Sequence, residues 1–427
     1  MKTYSFHPTD VLFVRDARPI DLVGGHGARW PDPPLIFDAL HAALHRAFPT
    51  KATWEHEHCT GVSSKRAFSA AGRTQRFGAL ATAGIFPIRS GDWLFPASAD
   101  WRTDDSGGGK SLAPLPAQGK TNLPAPLTHT LANRVPPSKR ETPPWWTKAA
   151  WDAYLRGGTP PAASLFSASD LYSGEWMTGI GIDPETQTQD GERIYSAEYL
   201  RLRENVAAGF FATLPTKQNG GKAAECIGHL FAGDQAILIG GQQRACTVRE
   251  DSAAPDSLLP VGTTITGCHV KWILLAPAIF PSIAAHPGGW LPTWIDAATG
   301  QVQLLDGPGK NKAKRSGLPE GKPISARLVA ACIPKPKPIS GWSERLDAAK
   351  DAGAPDNRGP RATQLAVPSG AVYYFEASSP EAAKSLAAAL NWHGPTPGPA
   401  ILNRRSTLLG EKGLGLGVCA PWTPATP

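Results

Sequence analysis

The sequence predicts an α+β fold of short strands and few helices, interrupted by long loop-rich insertions. Three observations predict it. Gly 44 and Pro 42 together make about one residue in five, well above ordinary globular usage, so turns break the chain often. Near the N-terminus an apolar extended run leads through a glycine loop into one amphipathic helix. Near the C-terminus a strand, a short capped helix, a glycine loop and a second strand follow in order. That last succession suggests half of a ferredoxin-like βαββαβ unit. A chain of 427 residues is long enough for two domains with one or two insertions, and 14 Trp argue against general disorder.

Residues 3–14 read as extended and interrupted by Pro8, with Val11, Leu12, Phe13 and Val14 as a buried strand. Asp32, followed by Pro33 and Pro34, starts a helix over 35–48. Its positions Ile36, Leu40, Ala43, Leu44 and Ala47 recur at helical spacing, so one face packs on a sheet. Residues 100–165 carry repeated Pro and Gly and read as an insertion outside the core, ordered by Trp145, Trp146 and Trp151. Residues 176–202 read as a long β-hairpin turning at Asp190-Gly191. Segments 210–214, 236–239 and 270–275 are further strand candidates. A strong strand at 371–377 precedes Ser379, which caps a helix with Pro380 in its first turn running to about Asn391. A strand at 416–419 closes the chain. No short-period repeat is visible.

Net charge is +7, which permits a polyanionic partner without requiring one. Between Lys310 and Arg361 stand twelve Lys or Arg against five acids, so this segment alone carries +7. It reads either as a solvated basic loop or as an electrostatic footprint. Six cysteines lie far apart with no C-x-x-C pair, which indicates reduced structural thiols. The N-terminus lacks an apolar signal core and no stretch reaches membrane-span length, so a cytoplasmic protein without a membrane partner is expected.

Asn403-Arg404-Arg405 and then Gly410-Glu411-Lys412-Gly413-Leu414-Gly415-Leu416-Gly417 form the most informative segment. Glycines Gly413, Gly415 and Gly417 at alternate positions strip side chains from one edge of the chain, so backbone amides can approach a ligand closely. Arg404, Arg405 and Lys412 add the charge that suits a phosphate backbone. Arg15 and Arg18 follow the first strand directly, where an ion-paired turn with Asp16 or Asp21 competes with an RNA-facing role. Lys65, Arg66, Arg73 and Arg76 are interleaved with Phe68 and Phe77, a composition that single-stranded RNA prefers.

Other constellations are incomplete. Gly107-Gly108-Gly109-Lys110-Ser111 imitates a phosphate-binding P-loop, but Asp104 stands where the first glycine belongs. His41 and His45 have zinc-protease spacing, yet Ala42 replaces the general-base Glu. His56-Glu57-His58-Cys59 is dense but too local to close around one ion. His7 and His26 suit acid–base chemistry on a 2′-hydroxyl by residue type alone, and structural or RNA-contacting roles fit them better. No Gly-x-Ser-x-Gly elbow or paired carboxylate stands out. Neither a cofactor nor a metal is expected, nor catalysis.

The opening His7-Pro8-Thr9-Asp10-Val11-Leu12-Phe13-Val14-Arg15-Asp16-Ala17-Arg18-Pro19-Ile20, with Gly24-Gly25-His26-Gly27-Ala28-Arg29-Trp30-Pro31-Asp32-Pro33-Pro34, resembles the family of the third subunit of the Cmr complex, the type III-B CRISPR effector. Further matches are Gly179-Ile180-Gly181-Ile182-Asp183 with Tyr195, Gly289-Trp290-Leu291-Pro292, Ile339-Ser340-Gly341-Trp342 and Ala366-Val367-Pro368-Ser369-Gly370. With the terminal glycine loop, these span nearly the whole chain in the expected order. The resemblance implies the repeat-associated (RAMP) superfamily and two ferredoxin-like, RRM-related domains, divided here as 1–215 and 216–427. It implies no catalysis, a grip on the repeat-derived 5′ tag of the guide RNA (crRNA), and partners in the large polymerase-like subunit and the backbone RAMP subunits. Carried over by position, Arg15, Arg18, Arg404, Arg405 and the loop at 410–417 are RNA-facing. His26, Lys65, Arg66 and Arg73 join them as RNA-binding candidates. Asp38 departs from the family pattern, where a small residue is common, and the insertion at 100–165 matches nothing in it. The rival reading is a metal-free guide-RNA-processing endoribonuclease of the same superfamily using a histidine such as His26. A third is an assembly subunit whose RNA contact is incidental.

Overall fold

The computed structural model describes residues 1–14, 24–25, 30–47, 77, 79–136, 138–183, 185–214, 226–231, 236–343 and 359–425. The first half contains β1 (Lys2–Pro8), α1 (Pro34–Ala47), β2 (Ala81–Arg89), β3 (Asp92–Pro96), β4 (Trp145–Thr147), α2 (Lys148–Leu155) and β5 (Leu165–Phe166). It continues with β6 (Tyr172–Ile182), β7 (Gln189–Leu202), β8 (Val206–Thr213), α3 (Cys226–Leu230), β9 (Ala236–Ile239) and β10 (Arg244–Asp251). The second half contains β11 (His269–Leu274), α4 (Lys310–Ser316), β12 (Ala326–Cys332), β13 (Val372–Ala377), α5 (Pro380–Leu390) and β14 (Gly417–Pro421). The α+β expectation holds: strands dominate, helices are few, and the two large sheets are antiparallel throughout.

An eight-stranded sheet runs β5-β4-β3-β2-β8-β1-β10-β9, and a four-stranded sheet runs β12-β13-β11-β14. Both contain the same succession. A first strand (β1 or β11) lies between a third (β8 or β13) and a fourth (β10 or β14), with the second (β2 or β12) outside the third. In the first half a helix follows the first and third strands. In the second half α5 follows the third, while the crossover after β11 carries only the short α4.

Side chains alternate along the central strands, so each sheet buries both faces. On β8, Phe210 packs with Tyr4, Phe6, Leu40 and Leu44 under α1, whereas Phe211 points the other way. On β13, Tyr373 and Phe375 meet Leu386 and Leu390 of α5, whereas Tyr374 faces away. Phe211, Phe95, Trp146 and Trp151 then join Ile273, Val372, Tyr374 and Trp392 in a central core between the two sheets. Helices α1 and α5 cover the other faces of the two sheets, while α2 joins the central core through Trp151 and Tyr154.

Four expectations need correction. The first strand is Lys2–Pro8. At 11–14 only a bridge from Leu12 to Leu200 forms, because the chain leaves the sheet after Pro8 and docks on the hairpin. The hairpin exists as β6 and β7, but it turns at Asp183, whose carboxylate accepts from the Glu185 and Thr186 amides, and Gly191 lies within β7. The segment 100–165 is not peripheral: Trp101, Trp146, Trp151 and Tyr154 are almost wholly buried in the central core. Strands β9 and β10 extend the first sheet through β1, so the expected division after residue 215 cuts across that sheet.

α5 starts as its sequence predicts. Ser379 Oγ accepts from the Ala382 amide at 3.1 Å and Pro380 occupies the first turn, where its missing N–H costs nothing. Among the described residues no helix is long and apolar enough to cross a membrane.

Candidate nucleic-acid interface

The glycine loop is assembled from a one-turn 3₁₀ segment at Gly410–Lys412 and the start of β14. Its close backbone approaches are to the protein itself. Gly413 has φ +92°, and a Cβ there would lie 3.1 Å from Ala83 Cα and 3.2 Å from the Thr82 carbonyl oxygen. Gly415 has φ +76°, and a Cβ would lie 2.0 Å from the Ser406 nitrogen. A Cβ on Gly417 would strike the Trp272 indole. The amides expected to cradle an anion are spent internally: Gly413 N donates to Gly410 O, and Gly415 N to Pro277 O at 2.7 Å. Gly417 sits in the β14–β11 ladder opposite Leu274. Residues 412–420 are all buried; Gly413 lets this segment close on β2 in the first half, while Gly415 and Gly417 allow close packing within the second half.

The cations beside the loop are also engaged. Lys412 is 8% exposed; its Nζ bonds Asp38 Oδ1 at 2.6 Å and lies over the Phe37 ring. Asp38 also holds Arg361 at 3.2 Å. Thus the acid in α1 that departs from the family pattern serves as counter-ion to two basic residues distant in sequence. Arg405 Nε donates to Ala389 O at 2.6 Å, the carbonyl end of α5, and burial lowers its pKa. Arg404 is less well satisfied. It reaches Ile401 O at 3.4 Å and Met1 Sδ at 3.9 Å, its buried Nε has no hydrogen-bond partner among the described residues, and burial pulls its pKa down to about 10 with Glu411 opposing. A guanidinium so poorly paired is the exception to the rule that buried charges are compensated.

Arg15, Arg18, His26, Lys65, Arg66 and Arg73 lie outside the described residues. The described ends of the stretch that carries Arg15 and Arg18 both rest on β7. Leu12 and Leu200 exchange backbone hydrogen bonds at 2.9 and 2.8 Å, and Gly24-Gly25 pairs in parallel with Ser196-Ala197. That strand belongs to the projecting hairpin. On its partner β6, Trp176, Ile180 and Ile182 are 57%, 50% and 60% exposed; Trp176 and Ile180, four residues apart, share one face, and Ile182 follows across a register irregularity. At the hairpin base Arg201 bridges Glu175 and Asp10. Sequence reasoning found the hairpin but not this face. The alternation of Trp176, Ile180 and Ile182 with Gly179 and Gly181 was the available signal.

The remaining motifs resolve structurally. Gly107-Gly108 belongs to the turn of a small hairpin in which Asp104 Oδ1 accepts from Ser106 N and Gly108 N, both at 2.9 Å, and Gly109 opens the second strand opposite Thr103. Exposed His7 has its pKa lowered by partial burial and then by Arg249. His41 stacks on Phe37. The basic segment divides: Lys337 pairs with Asp32, Arg327 with Glu376 and Arg361 with Asp38. Lys310, Lys314, Arg315, Lys322 and Lys335 are exposed and form no ion pair among the described residues.

The sequence model of the family described as CRISPR-associated protein (Cas_Cmr3) matches residues 4–407. No curated protein matches the sequence. Among solved structures, a chain of the type III-B Cmr-beta complex bound to cognate target RNA is 13% identical with a TM-score of 0.42, covering 87% of this chain and 86% of that one. A chain of the Csm3-Csm4 subcomplex of the type III-A CRISPR-Cas interference complex is 10% identical with a TM-score of 0.36, covering 89% of this chain and 93% of that one.

Proposed function

The chain belongs to the Cas_Cmr3 family of CRISPR-associated proteins, and from that premise we propose that it is a non-catalytic RNA-binding subunit of a type III-B effector in antiviral defence. In this reading it holds the 5′ tag of the guide RNA and docks the large polymerase-like subunit and the backbone RAMP subunits. The observation that carries it is the family match over 4–407. The common strand succession of the two sheets supports a pair of ferredoxin-like units, the first extended by β3, β4, β5 and β9. The seam between them then falls between Asp251 and His269.

For the RNA surface we favour the hairpin face over the glycine loop. Trp176 is an aromatic residue, more than half exposed, of the type on which unpaired bases stack, and Arg15 and Arg18 lie in sequence between Leu12 and Gly24, which both pair with β7. Arg404 remains the basic candidate of the C-terminal segment, because its guanidinium is poorly paired. Lys412 and Arg405 are retained as supports of that segment.

The test is binding of a labelled tag RNA to the full chain with and without Mg²⁺. Saturable binding without cleavage, weakened by Trp176→Ala, is expected. Metal-free cleavage lost in His26→Ala would replace this reading with the endoribonuclease. Co-purification with other effector subunits that survives RNase, together with no tag affinity, would favour the assembly subunit.

A further inference from the structure

A pocket of about 540 Å³ opens where the segment 97–142 meets the second half of the chain. Ala97, Ser98 and Ala99 pass along one wall, and Pro334 and Ser369 come from the other half. Ala99 N donates to Gly370 O at 2.8 Å and Cys332 Sγ lies 3.3 Å from Ala99 O, so the fold holds both walls. The rim is different. Residues 133–136 and 138–142 form no backbone–backbone hydrogen bond among the described residues. Of their backbone groups only two amides are met, Val135 N by Asn133 Oδ1 at 3.2 Å and Arg140 N by Ser138 Oγ at 3.0 Å. The rest of this stretch is free to pair with another main chain.

Arg102 and Arg140 line the pocket, both are exposed, and neither has a carboxylate partner among the described residues. Arg102 is aimed by its backbone: Nη1 donates to Ala99 O at 2.8 Å and to Trp101 O at 2.9 Å. Arg140 Nη1 reaches only Asp105 O at 3.5 Å. The nearby carboxylates are committed, Asp105 to Ser138 Oγ and Asp104 to its own turn. Glu141 is the single acid on the lining, so the two guanidiniums leave one net positive charge. One carboxylate matches that charge, whereas a phosphomonoester carries nearly twice as much at neutral pH.

The rest of the lining suits a peptide better than a base. Its one aromatic ring, Trp101, is 5% exposed and packs edge-on against Trp146 and Tyr154, so it presents no face for stacking. Ala97, Val135, Pro136 and Pro334 supply apolar surface of the kind that aliphatic side chains cover. The volume is too large for a carboxylate alone and falls in the range of ligand sites. We propose that this pocket takes an acidic peptide segment of a partner protein. An Asp or Glu carboxylate sits between Arg102 and Arg140, flanking aliphatic residues lie on Val135 and Pro136, and the peptide main chain pairs along 133–142. The site is remote in sequence from the hairpin and stands whether or not RNA lies there.

Titration calorimetry of the full chain with the blocked peptide acetyl-Leu-Glu-Leu-amide tests this. The peptide saturates one site with a Kd of about 1 mM or tighter. Its Gln counterpart, which cannot make the charge-assisted pair, binds at least about tenfold more weakly. Arg140→Glu, at an exposed rim position, weakens the Glu peptide by about tenfold or more without moving the unfolding midpoint. Arg102→Lys keeps the charge but loses the fork and also weakens it. N-methylation of the peptide's central amide lowers affinity, because the main chain loses a donor. AMP and a short single-stranded RNA leave the peptide in place. Displacement of the peptide by either would assign the pocket to nucleic acid and overturn the proposal. Absence of saturable binding up to about 10 mM, equal affinity for the Gln peptide, or an Arg140→Glu chain that binds as the parent does would overturn it equally.

Discussion

At Gly415 the backbone is left-handed and the space for a side chain is already filled by the Arg405–Ser406 peptide. Gly415→Val combines φ strain with overpacking, so it should cost about 2–4 kcal/mol, read as a lower urea midpoint. An unchanged midpoint with lost tag affinity would restore a ligand-facing loop. Asp100 is the second decisive residue. Burial alone raises its pKa, but Lys271 and then the hydroxyls of Tyr154, Ser98 and Tyr374 overcome that and hold the carboxyl below its ordinary value. A depressed carboxyl stabilises the fold above its unfolded pKa of about 3.9, and that contribution is lost as pH falls through the lower folded value. Asp100→Asn should therefore flatten the acid limb of a stability–pH curve, besides destabilising at neutral pH.

The hairpin and the capped helix show how differently elements use their side chains. Trp176 is 57% exposed on β6, so Trp176→Ala should cost about 1 kcal/mol of stability, much less than the roughly 3–5 kcal/mol of truncating a buried tryptophan. If bases stack there, the same change should weaken single-stranded RNA by about 1–3 kcal/mol in a fluorescence titration. Unaltered affinity would remove the hairpin face from the RNA surface. Ser379→Ala removes one cap from α5, whose face carries Leu386 and Leu390 into the core, and should cost about 1 kcal/mol by thermal unfolding. The cap was legible in sequence because it is local. The hairpin turn was not, because Asp190-Gly191 carries a stronger local turn signal than Asp183, and the β6–β7 register overrides it.

Across the molecule the two halves are fastened through the central core. Asp100 and Tyr154 approach from the segment 97–155, and Lys271 and Tyr374 from the four-stranded sheet. Removing one partner of a buried pair leaves the other uncompensated, so Lys271→Met alone should cost about 3–5 kcal/mol. The double change Lys271→Met with Asp100→Leu should recover much of that loss, measured as a double-mutant cycle. Electrostatics at this scale are also testable. If Arg15 and Arg18 each meet a phosphate, changing both to Ala should flatten the log–log salt dependence of RNA binding by about 1.4, for tag and scrambled sequences alike. An unchanged slope would turn attention to Arg404 and the exposed Lys310–Arg315 cluster.

The sequence by itself determined the α+β class, the family, the α1 and α5 helices and the terminal strand, because each rests on periodicity, capping or motif order within a few residues. Tertiary structure alone decided what the glycine loop is for. The spacing of Gly413, Gly415 and Gly417 says that something approaches the backbone closely, but not whether a ligand or Thr82, Ser406 and Trp272 does so. It also decided that Lys412 belongs to Asp38 and that Trp101, Trp146 and Trp151 are core. Charge pairing and burial between residues hundreds of positions apart depend on how two sheets face each other, and no local pattern encodes that distance.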